Sequence, residues 1–298
     1  VIAQPHGLSL FGRTAQVWSS KHLISVLLFL RRIQTCEQPH REIKETFMIQ
    51  TIEAANGGYR FMPGVSQYSC GIAALPGFSI ERICFSNVVP LRQGFEKIAE
   101  IIKAAGRPLT AFGACELRSP APFTEDGFRA FNATYIKTLV EWGVMKDGVN
   151  PVARSNVCPE IDPPSEPGFH AFSFTSAAPG APASFVISGS GESVEGKANY
   201  RDHTVRLGDT SPEGMLEKAK WVLDEMERRM SAFSGDWRQA TAVQLYTVRN
   251  VFPFLQSELG KRGTLRPGLT WHFNRPPVVD LEYEMDCRRV YIERVIEV

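Results

Sequence analysis

Three groups of residues are of types that do chemistry. Arg154 and Ser155 follow Pro151-Val152-Ala153; a guanidinium meets a carboxylate with two parallel hydrogen bonds where an ammonium cannot. The alternative at this position is a surface arginine paired with Glu160 or Asp162. Near the C-terminus Asp280, Glu282, Glu284 and Asp286 alternate with Val279, Leu281, Tyr283, Met285 and Cys287. A carboxylate held among like charges in a partly buried site has its pKa raised toward working pH, as a general acid or base requires. The same spacing also describes the solvated face of a half-buried strand. In Cys115-Glu116-Leu117-Arg118, strand alternation puts Cys115 and Leu117 on one face and Glu116 and Arg118 on the other. Arg118 and His272 are the candidates for a second cation if a ligand carries two carboxylates. Cys115 reads equally as a small core hydrophobe, and Arg118 as a partner for Glu116 or Glu125.

Other chemistries have no support. The six histidines form no HxH, HExxH or Cys-His cluster, so neither a structural nor a catalytic metal is expected. Ser188-Gly189-Ser190-Gly191 lacks the Walker lysine and a complete GxGxxG, and no GxSxG elbow occurs. No cofactor is expected.

The elements that must position these residues are partly legible. Phe95, Ile98, Ala99 and Ile102 recur at helical spacing after Pro90, with Gly106 and Pro108 as the stop. Leu109 to Leu117 is a run of strand length. Thr124 offers an N-cap to a second helix with Phe128, Phe131, Tyr135, Leu139 and Trp142 on one stripe. Upstream, Ser69 to Ala74 and Ile80 to Ser86 are strand-like and joined through Leu75-Pro76-Gly77, which predicts a hairpin. The second half repeats this order. Phe185 to Ser188 is a strand, and Ser211-Pro212 opens a helix with Met215, Ala219, Val222, Leu223, Met226 and Met230 on its apolar face. Thr241 to Val248 is a strand, a short helix surrounds Phe252, Leu255 and Leu259, and Val278 to Cys287 closes the chain as a strictly alternating strand. Phe169 to Thr175, in the Pro, Gly and Ser-rich stretch between the halves, is a strand assignable to either.

Phe128-Arg129-Ala130-Phe131-Asn132-Ala133-Thr134-Tyr135, followed by Pro151-Val152-Ala153-Arg154-Ser155, resembles the second helix and the "P-A-R-S" strand of the RidA family of imine and enamine deaminases. Tyr68-Ser69 and Ile83-Cys84-Phe85-Ser86-Asn87-Val88-Val89-Pro90-Leu91 resemble that family's opening strands, with Asn87 where the family has glycine. Phe185-Val186-Ile187-Ser188-Gly189 and Leu281-Glu282-Tyr283-Glu284 resemble the corresponding strands again in the second half. The resemblance covers about residues 60 to 298. It implies an α+β fold of two tandem RidA-like, chorismate-mutase-like repeats, each a mixed β-sheet packed on two helices. Residues 48–180 and 181–298 are the expected domains, with residues 1–47 expected as an N-terminal extension outside the fold. Thr270 stands where the second repeat would place an arginine, and Ser173 where the first would place Glu284. One site per chain, assembled from both repeats or across subunits, is therefore expected. The family's trimers further imply a homotrimer that imitates six units.

By this resemblance the substrate is a 2-amino-2-enoate in equilibrium with its 2-imino form, hydrolysed to a 2-oxo acid and ammonia. Arg154, next to Ser155, clamps the carboxylate and Glu284 activates water and moves the proton. Ser86 and Asn87 present polar groups at the end of a strand, and Tyr68 closes over the conjugated chain. The doubled chain points to a larger substrate, 2-aminomuconate or a substituted relative from aromatic degradation. The alternatives are a chorismatase-type hydrolase that releases pyruvate, and a non-catalytic trimer that binds a small acid.

Composition agrees with a small-molecule partner. Among 298 residues, 33 Lys and Arg face 32 Asp and Glu, a net charge of +1, which leaves no electrostatic footprint for nucleic acid or an anionic membrane. With 43% hydrophobic and 22% charged residues the chain can bury a sizeable core, as one large domain or two modest ones. The apolar run Leu23 to Leu30 is too short for a span, which needs about 20 residues, and Arg31-Arg32-Ile33-Gln34 after it is no signal-cleavage context. The six cysteines, without CxxC spacing, read as reduced thiols of a cytoplasmic protein.

Overall fold

The two longest helices open at the caps marked in the sequence. Thr124 Oγ1 accepts from the Gly127 amide at 3.1 Å, and Ser211 Oγ from the Gly214 amide at 3.1 Å. Each satisfies an amide that the first helical turn leaves orphaned. In the computed structural model, which describes residues 50–298, the strands are β1 (Ile52–Ala54), β2 (Tyr59–Met62), β3 (Gly71–Ala74), β4 (Phe78–Pro90), β5 (Phe112–Arg118), β6 (Ala153–Pro159), β7 (Gly168–Ala177), β8 (Phe185–Gly191), β9 (Ala242–Tyr246), β10 (Leu269–His272), β11 (Asn274–Arg275), β12 (Glu284–Arg289) and β13 (Ile292–Ile296). The long helices are α1 (Leu91–Ala104), α2 (Glu125–Glu141) and α3 (Pro212–Ser231). The expected extension over residues 1–47, with its apolar run and Cys36, lies outside the described residues.

The strands form two sheets, one of seven in the order β1-β2-β3-β8-β12-β9-β10 and one of six in the order β11-β6-β5-β7-β4-β13. Helix α3 lays Met215, Ala219, Val222, Leu223, Met226 and Met230 against Ile187, Val243, Leu245, Met285 and Cys287 of the seven-stranded sheet. Helices α1 and α2 cover the six-stranded sheet, where Phe95, Ile98, Ile102, Tyr135 and Leu139 meet Phe112, Leu117, Phe169 and Phe172. The opposite faces of the sheets meet each other. The Arg154 amide of β6 donates to Ser188 Oγ of β8 at 3.1 Å, and Gln244 Nε2 of β9 donates to Glu116 Oε2 of β5 at 3.4 Å.

This topology overturns the tandem-repeat expectation. β1, β2 and β3 from the first half belong to the sheet of β8, β9 and β12, while β11 and β13 from the second half edge the sheet of the first. Neither half owns a sheet. The hairpin expected through Leu75-Pro76-Gly77 is also absent among the described residues. The turn forms, with Gly77 at φ +88°, but β3 pairs with β2 and β8 while β4 pairs with β7 and β13. Turn chemistry specifies a reversal, not that its flanking strands pair. Phe169 to Thr175, within β7, joins the six-stranded sheet between β4 and β5.

The second half also lacks a second long helix among the described residues. Phe252–Phe254 is one turn, continued by a π-type turn over Leu255–Gly260. The closing strand is shorter than its alternation predicts. It starts at Glu284, after Asp280 at φ +75°, and Glu284, Met285, Asp286 and Cys287 are all buried. Its carboxylates face the other sheet rather than solvent, which alternation alone could not distinguish.

Candidate active site

At the seam between the two sheets β6, β8, β12 and helix α2 converge on a cavity of about 420 Å³. Arg154, Asn156 and Glu284 line it, together with Tyr68, Glu195 and Tyr200. One chain thus brings together the two residues expected to carry the chemistry, one from each half of the sequence.

Arg154 is 3% exposed, and neither Nη1 nor Nη2 has a hydrogen-bond partner among the described residues. Its guanidinium carbon lies 4.9 Å from the ring centres of both Tyr68 and Tyr135, 5.6 Å from Phe128 and 5.9 Å from Phe131. The apolar stripe of α2 therefore builds a cation–π box with Tyr68. The rings hold the guanidinium plane and satisfy none of its N–H donors. A buried cation with free forked donors is expensive unless an anion completes it. Asn156, two residues on along β6, adds a third donor. Its Oδ1 accepts from Ser119 Oγ at 2.9 Å, while Nδ2 is buried without a partner among the described residues.

Glu284 is 4% exposed. Burial pushes its pKa well above the usual carboxylate value, Asp286, Glu195 and Glu192 raise it further, and Arg154 opposes them. Both effects favour the neutral, proton-donating form over the anion. Gly189 on β8 leaves the room it occupies, since a Cβ there would collide with Glu284 Oε1.

Tyr68 closes one wall and donates its hydroxyl to Glu195 Oε1 at 3.0 Å. Glu195 is fixed from behind by Arg229, whose Nη2 lies 3.0 Å from Oε2, and Arg229 in turn donates to the Gly189 carbonyl at 3.2 Å. Tyr200, beside Tyr68, has its hydroxyl pKa pushed up to about 12 by burial and by Glu195, so it stays a neutral donor.

The other expected site residues lie elsewhere. Ser155 points to the opposite face of β6 and donates to Asp286 Oδ2 between the sheets. Ser86 and Asn87 are exposed at a register break in β4 and line a separate cavity with His170. Arg118 lies over the Tyr246 ring at 5.5 Å and donates to the Leu117 carbonyl. His272 stacks on Tyr246 and pairs with Gln244 Oε1 at 3.2 Å; burial, helped by Arg118, lowers its pKa to about 4. At neutral pH it is no cation. Among the residues not foreseen, Asn156 was accessible by alternation from Arg154, whereas Glu195 and Tyr200 sit in an irregular loop with no periodic signal.

The profile of a family described as 2-aminomuconate deaminase CnbZ matches residues 51–294. The chain belongs to this 2-aminomuconate deaminase family. A curated relative, the 2-amino-5-chloromuconate deaminase of Comamonas testosteroni, is 49% identical over 242 residues, which span 80% of this chain and 96% of that protein. Among solved structures, a chorismatase matches with a TM-score of 0.47 and 14% identity over 74% of this chain and 77% of its own. The interleaving of strands from both halves in two sheets corrects the tandem-repeat expectation. As a family member the chain is a deaminase, an enzyme acting on C–N bonds. Among the described residues no cluster of three or more His, Cys, Asp or Glu is placed to hold a metal, and no helix is long and apolar enough to cross a membrane.

Proposed function

We propose that the protein hydrolyses 2-aminomuconate or a substituted relative, releasing ammonia and leaving the 2-oxo acid. The observation that carries this reading is the buried guanidinium of Arg154, with two nitrogens unpartnered among the described residues, in the same cavity as the buried carboxyl of Glu284. The carboxylate beside the amino-bearing carbon takes the Arg154 fork and Asn156 Nδ2. This offsets the Arg154 charge, which lowers the Glu284 pKa, so substrate binding strengthens the hold on the Glu284 proton.

The chemistry follows from that state. Protonation of the enamine at carbon, with loss of a proton from nitrogen, gives the 2-imine. Glu284 donates its proton to the imine nitrogen, and water adds to the carbon made electrophilic. The resulting carboxylate of Glu284 recovers a proton from that water, leaving a carbinolamine. Proton transfer to the amino group and collapse of the C–O bond to a carbonyl then expel ammonia. Water is consumed, one C–N bond breaks and no electrons change hands.

The test is ammonia release from 2-aminomuconate generated in situ, with Arg154→Ala and Glu284→Gln in parallel. Release by the wild type that falls at least ~100-fold in each variant, about 2.7 kcal/mol of transition-state stabilisation, supports the reading and both roles. No release by the wild type overturns it.

A further inference from the structure

A second cavity, of about 630 Å³, adjoins the first and shares Phe128 and Tyr200 with it as common walls. Asn132 on α2 lines it. This side chain is 2% exposed, yet neither Nδ2 nor Oδ1 has a hydrogen-bond partner among the described residues. A buried carboxamide with both ends unsatisfied carries a desolvation cost that a packed apolar residue would avoid. It stands one turn of helix from Phe128 and close to Tyr135, two of the rings that hold Arg154.

The charges around the cavity favour an anion. Arg129 and Lys197 line it, and so does Glu125. Glu125 is engaged, since its Oε1 accepts the Tyr200 amide at 2.9 Å. Arg129 holds Asp126 on its exposed side at 2.8 Å, a contact screened by solvent. Among the residues lining the first cavity, Arg154 is the one cation. A substrate with a carboxylate at each end therefore has its second cations next door, and Arg118 and His272, the expected candidates, line neither cavity.

We infer that this second cavity is the subsite for the remote carboxylate of a dicarboxylate substrate. Asn132 Nδ2 donates to that carboxylate, Arg129 and Lys197 supply the field, and the unsaturated chain runs along the shared wall of Phe128 and Tyr200, whose rings pack edge to face with centroids 6.4 Å apart. The inference rests on the proposed function for the identity of the reacting end, but its test does not.

Muconate and hexa-2,4-dienoate share a six-carbon diene and differ in the second carboxylate, and neither has an amino group to lose. Their dissociation constants, measured by calorimetry on the full chain, are compared for wild type, Asn132→Leu and the Arg129→Ala/Lys197→Ala double variant. The double variant changes exposed residues and keeps the test valid if Asn132→Leu fails to fold. The expected result is a preference of at least ~10-fold for the diacid in the wild type, falling toward parity in either variant while the monoacid affinity holds. Equal binding of the two acids by the wild type, or a preference unchanged in both variants, overturns the subsite. Diacid preference without ammonia release from 2-aminomuconate supports the subsite and sinks the proposed reaction. Ammonia release without diacid preference does the reverse.

Discussion

Gly189 on β8 leaves the space that the Glu284 carboxylate on β12 fills, and a Cβ at 189 would collide with Oε1. The obstruction is a functional group rather than a flexible hydrocarbon end. Gly189→Ala is therefore expected to displace Glu284 and reduce kcat at least ~100-fold, a loss of about 2.7 kcal/mol, while thermal unfolding remains cooperative. Steady-state kinetics beside a calorimetric melt would check it; full activity would show that Glu284 is not held where catalysis needs it.

Arg154 is expected to oppose stability and serve binding. Its two free guanidinium nitrogens are buried without partners among the described residues, so removing the charge relieves a desolvation cost. Arg154→Met should melt at or above the wild-type temperature without ligand while losing carboxylate binding. Arg154→Lys should not restore that binding, because an ammonium lacks the fork. Melting curves with and without muconate separate the two effects.

The pH dependence follows from Glu284, whose pKa is raised in the folded protein. Below the unfolded value of about 4.3, both states carry the proton and the group is neutral toward stability. Above it the unfolded chain releases the proton while the folded chain keeps it, so wild-type stability falls with rising pH until the folded pKa is reached, by at most about 1.4 kcal/mol per pH unit. Glu284→Gln should remove this contribution and gain on the wild type as pH rises between those limits. Activity of the wild type should decline as pH passes the folded value. Denaturant melts across pH for the pair provide the measurement; parallel stability curves would contradict it.

Glu192 and Lys218 form an ion pair at 3.1 Å with both side chains fully buried, and Glu192 also accepts the amides of Glu282 and Tyr283. It thereby anchors the chain entering β12, directly before Glu284. Lys218→Ala leaves an uncompensated buried carboxylate and should destabilise by about 3–5 kcal/mol. Replacing both partners, as Glu192→Gln with Lys218→Met, should cost much less in equilibrium unfolding. Equal losses in the single and double variants would show that the pair itself, not the stranded charge, carries the effect.

Local chemistry was readable wherever a residue acts through its own neighbours in sequence. The Thr124 and Ser211 caps, the apolar faces of α1, α2 and α3, and the opposed faces of Glu116 and Leu117 all depend on periodicity and short-range hydrogen bonds. Arg154 and Glu284 stood out as candidates, and the structure lines one cavity with both. Ser155, by contrast, was grouped with its neighbour Arg154, although adjacent strand residues point to opposite faces. Glu195, tied to Tyr68 and Arg229, could not be found because an irregular loop carries no repeat from which to infer a direction.

The sequence by itself determined the helices, most strand positions, and the residue types available for holding a carboxylate and moving a proton. Only the tertiary structure decided that strands of both halves interleave in two sheets, that Glu284 and Asp286 turn inward, and that Arg154 sits in an aromatic box with neither Nη partnered among the described residues. The physical reason is that alternation and helical period specify which side chains share a face, while pairing partners and burial are set by contacts between segments far apart in the chain. The Glu284 pKa shift is such a property, arising from burial and from Asp286, Glu195 and Glu192 around it.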